Sequence, residues 1–61
     1  MILTTEQENC MFSLIMRWDG DPESLLRKVR EIGLSKDHII AYAQAIGDPS
    51  LAAIFSNYPE Q

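Results

Sequence analysis

The chain is predicted to be all-α: four short helices, with an N-terminal amphipathic helix packed on a three-helix bundle. Three observations lead there. Apolar residues recur at the helical spacing of about 100° per residue, with no competing strand pattern. Glycine-centred breaks at Gly20-Asp21-Pro22, Gly33-Leu34-Ser35 and Gly47-Asp48-Pro49 divide the chain into helix-length segments. Each break combines a glycine able to close one helix with an aspartate or serine able to cap the next, and two of them add a proline suited to the first turn.

The first helix is expected near Thr5–Trp18, where Thr5 and Glu8 have the spacing of a capping box. Met11, Leu14, Ile15 and Trp18 form its core stripe, while Phe12 and Met16 project to one side. Its apolar arc is therefore wider than one buried face requires. Either the other helices wrap both sides within one chain, or one side meets a second copy or another protein. Trp18 suits first a core anchor at the helix end, its indole N–H reaching solvent or the turn carbonyls, and second a partner contact. The second helix, near Pro22–Ile32, carries Leu25, Leu26, Val29 and Ile32 on one face. Gly33 closes it, Leu34 acts as a hydrophobic staple and Ser35 caps the third helix, near Lys36–Ile46, with Ile39, Tyr42, Ala43 and Ile46 as its stripe. The fourth, near Pro49–Asn57, turns Leu51, Ile54, Phe55 and Tyr58 inward.

With 61 residues the chain forms one small domain, burying only about 60% of the surface its unfolded form exposes. Tight helix packing or self-association is the usual remedy for so small a core, and a homodimer through the first helix is expected. Cys10 is the only cysteine, so no internal disulfide can form, which favours a reducing compartment and hence the cytoplasm. No apolar run approaches the roughly 20 residues of a membrane span, and "MILTTEQEN" lacks the basic start and apolar centre of a secretory signal.

Catalysis is not expected, nor is a cofactor or metal. His38 is the only histidine, and on a helix Asp37 points about 100° away from it, so Ser35, Asp37 and His38 do not make a triad by adjacency. One aspartate per Gly-Asp-Pro turn supplies too few ligands for a hard cation, and no glycine-rich phosphate loop is present. The partner expected is a protein, of unknown identity, met through Phe12, Met16 and Trp18. The alternative is a helix-turn-helix DNA reader built around Gly33. Ser35, Lys36, His38 and Gln44 would then face the groove, and Arg27, Lys28 and Arg30 would anchor phosphates. Charge opposes it. The net charge is −4, Asp37 would enter the groove too, and nucleic acid is repelled at long range.

Two resemblances bear on these readings. Pro22 to Phe55, with the hydrophobic-Gly-hydrophobic turn "IGL" at Ile32–Leu34, resembles a ubiquitin-associated domain. Leucine replaces the usual aromatic after the glycine, and the likeness implies a protein-binding three-helix unit with no ubiquitin-contact residue carried over. The stretch "MRWDGDPESLLRKVREIGLS", Met16–Ser35, resembles the small acidic helical accessory proteins of lambdoid-phage early regions. That implies a protein acting on host physiology or lytic development by binding another macromolecule.

Overall fold

The computed structural model describes residues 1–59, which fold into four helices with no strand among them: α1 (Thr5–Met16), α2 (Pro22–Glu31), α3 (Lys36–Ala45) and α4 (Pro49–Ser56). All four expected helices are present in the expected order. A helix of 8 to 12 residues is marginal in isolation, so boundary chemistry and tertiary packing must both contribute.

The starts are capped by side chains. Asp21 accepts a hydrogen bond from the Glu23 N–H and Asp48 one from the Leu51 N–H, each with proline in the first helical turn. Such a cap contributes about 1 kcal/mol. The capping box of α1 lies one residue earlier than expected. Thr4 Oγ1 accepts from the Gln7 N–H at 3.1 Å, and Gln7 Oε1 accepts from the Thr4 N–H at 2.9 Å. Thr5 is the first helical residue, as expected, and Leu3, ahead of the cap, packs against the core. The other end of α1 is earlier than expected. Arg17 is its C-cap, and the Trp18 N–H reaches back only three residues, to the Ile15 carbonyl, so Gly20 lies beyond the end and does not close the helix.

Gly33 and Gly47 do close α2 and α3. At both ends the glycine N–H and the N–H after it bond back to helix carbonyls: Gly33 to Arg30 and Leu34 to Val29, then Gly47 to Gln44 and Asp48 to Ala43. This is a Schellman closure, which needs the left-handed backbone seen at φ 82° and φ 72°. A Cβ on Gly33 would meet no atom within 4 Å, so the cost of alanine there is backbone strain alone. Gly33→Ala is expected to lower stability by about 1 kcal/mol, read as a lower urea midpoint at unchanged slope. An unchanged midpoint would contradict the closing role.

The core comprises Met11, Leu25, Leu26, Val29, Ile39, Tyr42, Ala43, Leu51 and Phe55. α3 and α4 form the most closely packed pair, and α1 lies across α2 and α3. Met11 is 0% exposed, so α1 completes the core rather than covering a finished three-helix unit. Phe55 sits between two half-buried rings, its centroid 6.2 Å from that of Trp18 and 6.1 Å from that of Tyr58. Three residues expected inside are exposed: Ile32 (48%), Ile46 (52%) and Ile54. Ile32 and Ile46 have the phase of the core but are the C-caps of their helices, so they lie beyond the packed turns. Ile54 lies about 80° from the midpoint of Leu51 and Phe55 around α4.

A clasp joins the end of the described chain to the starts of α2 and α3. The Tyr58 hydroxyl donates to the Glu23 carboxylate, and Lys36 Nζ donates to the Tyr58 carbonyl at 2.9 Å. The bond to Glu23 raises the Tyr58 pKa above the ordinary value of about 10, with partial desolvation and the charges of Glu23 and Asp21 adding to the rise and Arg30 opposing it. A raised folded-state pKa means that this contribution is fully present below pH 10 or so and is lost as pH rises through the folded pKa. The wild type should therefore lose more stability between neutral pH and about pH 11 than Tyr58→Phe does, the variant serving as the reference for every other effect of pH. Equal losses in urea titrations would exclude the clasp as a contributor.

Candidate functional site

Phe12 and Met16 are one turn apart on α1, 57% and 69% exposed. Their side of the helix lies about 120° round from Met11, which points into the core. The other flank of α1 carries Cys10, Leu14 and Arg17 and faces α2, where Lys28, Glu31 and Ile32 line the same shallow hollows. Phe12 and Met16 therefore point away from α2. Of the two arrangements open to a wide apolar arc, the structure leaves this pair outside the core, presented to solvent.

Trp18 is placed differently. Its ring packs toward Phe55, and its indole N–H donates to the Asp21 carbonyl at 2.7 Å, bridging the connection between α1 and α2. Trp18 is half-buried, so within the trio expected to meet a partner it is mainly a structural anchor and Phe12 and Met16 supply the free surface.

The residues proposed to read DNA do not form one surface. Arg27, Lys28 and Arg30 are exposed but spread over about 160° of α2, with Glu31 lying angularly between Arg27 and Lys28. Ser35 and His38 are half-buried and engaged with each other. The Ser35 N–H donates to His38 Nδ1 at 3.1 Å, and the Ser35 hydroxyl lies 2.9 Å from the same nitrogen. This is a capping arrangement at the start of α3, with histidine at the position where glutamate or glutamine often stands. Lys36 is bonded to the Tyr58 carbonyl. Gln44 is exposed near the other end of α3, and the outward face between it and the start carries Asp37 and Ala41. Phosphate anchors need a continuous basic track, and these side chains diverge.

The same pair shows how the lone histidine is engaged. His38 makes no bond to a carboxylate among the described residues, and its ring is used to hold a helix start. No group of three or more histidine, cysteine, aspartate or glutamate side chains among the described residues is arranged to hold a metal ion. No helix there is long and apolar enough to cross a membrane. In the turn that resembles a ubiquitin-associated domain, Ile32 is exposed and Leu34 is half-buried against the core.

Sequence periodicity missed the groove between α1 and α2 because it assigned Ile32 to the core. The available signal was its position: a residue immediately before a closing glycine ends its helix and can extend past the neighbours that would cover it. Comparison with known proteins gives no match to a family model, a curated protein or a solved structure.

Proposed function

We propose that the chain is a non-enzymatic protein-interaction protein, accessory or regulatory in role, that acts in the cytoplasm by covering a surface of a partner protein and that associates with itself through α1. One observation carries this reading: Phe12 and Met16 stand exposed side by side although the core closes without them. Large aromatics and methionine are enriched at protein interfaces, where ring area and thioether flexibility both serve contact. The radius of gyration, 10.3 Å, is close to the roughly 10.5 Å expected for a compact chain of this length, so the exposed pair is not a symptom of loose packing.

In a two-fold dimer each copy would present the same patch, so Phe12 and Met16 would each be used twice. The resemblance of Met16–Ser35 to lambdoid-phage accessory proteins agrees with a role exerted by binding, on host physiology or lytic development. Sedimentation equilibrium tests the self-association. A mass that rises toward the dimer with concentration supports it, and a monomer throughout about 0.1–1 mM would end it. A salt-dependent shift with duplex DNA would favour the helix-turn-helix reading instead.

A further inference from the structure

The flank of α1 opposite Phe12 carries a second, chemically different feature. Two adjoining hollows of about 280 and 190 Å³ share Leu14, Arg17 and Ile32 and run between α1 and α2. The floor is apolar, formed by half-buried Leu14 and by Ile32. The rims are charged. Arg17 lies folded back along α1, its Nε–H donating to the Ser13 carbonyl at 3.3 Å and its Nη2 to the Ser13 hydroxyl at 3.0 Å. A guanidinium has five N–H donors, so this anchoring fixes the group and leaves about three of them for an acceptor from outside. Facing it, Lys28 has no hydrogen bond or ion pair among the described residues. Two of the protein's five cations thus line one apolar groove in a chain of net charge −4.

We propose that the α1–α2 groove is a docking site for an acidic, apolar peptide segment of a partner protein. An apolar side chain of that segment would cover Leu14 and Ile32 while carboxylates bond Arg17 and Lys28. Arg17 and Lys28 repel basic segments, while Glu31 on the same rim repels carboxylates and so confines the acidic groups of the segment to the Arg17–Lys28 side. Fixing Arg17 through Ser13 before binding reduces the ordering cost of the contact. The site is nearly half a turn round α1 from Phe12, so it stands or falls independently of self-association through that residue.

The test uses the whole chain carrying Phe12→Asp, which removes the other surface, and a short blocked peptide of alternating aspartate and leucine as probe. Amide NMR titration should show shifts confined to the neighbourhood of Leu14, Arg17, Lys28 and Ile32. Raising salt to roughly 1 M, where the Debye length is about 3 Å, should weaken binding. Combining Arg17→Gln with Lys28→Gln should weaken it about fivefold to tenfold, the loss expected for two exposed ion pairs. Because Arg17 also caps α1, Lys28→Glu alone serves as a second variant that leaves the cap untouched, and it should weaken binding in the same direction. Equal binding of the matching lysine-leucine peptide would overturn the proposal. So would shifts mapping elsewhere, no shift at about 1 mM peptide, or groove shifts that appear on concentrating the protein alone, which would assign the groove to a second copy.

Discussion

Replacing Phe55 with alanine is expected to leave much of the population unfolded at physiological temperature. Phe55 is 0% exposed and lies between the rings of Trp18 and Tyr58, so truncation removes the residue that joins the α1–α2 connection to the end of α4. Deleting a buried phenylalanine side chain costs about 3–5 kcal/mol. The whole stability of a domain this size is roughly 3–9 kcal/mol, so the loss is comparable with the total. Circular dichroism on thermal and urea unfolding would show it, with a lost or strongly lowered transition. A variant melting within a few degrees of wild type would mean that the aromatic group is not the keystone of the core.

The second large effect lies at neighbouring positions with opposite outcomes. Met11→Asp is expected to abolish folding, because it buries an unpaired carboxylate at a fully enclosed site. Phe12→Asp places the same charge on an exposed side and should leave the monomer folded while abolishing self-association. In the wild type the melting temperature should rise with protein concentration, as mass action requires of a dimer that dissociates on unfolding. In Phe12→Asp it should not change. Loss of helix in both variants would place Phe12 in the core; wild-type melting independent of concentration would remove the dimer.

Much of this architecture was legible in the order of residues because short helices depend on their ends. Asp21, Ser35 and Asp48 before the starts, and Gly33 and Gly47 after the stops, are residue types whose local chemistry is nearly self-sufficient, and the helices lie where those types put them. The start of α1 was ambiguous by one residue because Thr4–Gln7 and Thr5–Glu8 both have the spacing of a box. Burial was less legible than boundaries. Periodicity states which way Ile32 and Ile46 point but not whether a neighbour reaches them, and that depends on how far the adjacent helix extends. For Phe12 and Met16 the same information defined a direction and left the occupant open, so the surface could be recognised as apolar before it could be recognised as exposed.

The caps also bear on how this chain can change in length. Ile32–Ser35 and Ile46–Asp48, the links around α3, hold the C-cap of one helix, its glycine closure and the N-cap of the next, with nearly every residue holding one of these assigned posts. An inserted residue there would either break a closure or turn the following helix about 100° relative to the core, carrying Ile39 or Leu51 out of it. The path from Arg17 to Asp21 lacks a glycine closure and is held by side chains instead, the Trp18 indole bonding the Asp21 carbonyl and the Asp19 carboxylate accepting from the Asp21 N–H. Backbone closures therefore bind α2, α3 and α4 to one another in a fixed rotational phase, whereas the phase of α1 against α2 depends on the side chains of Trp18 and Asp19.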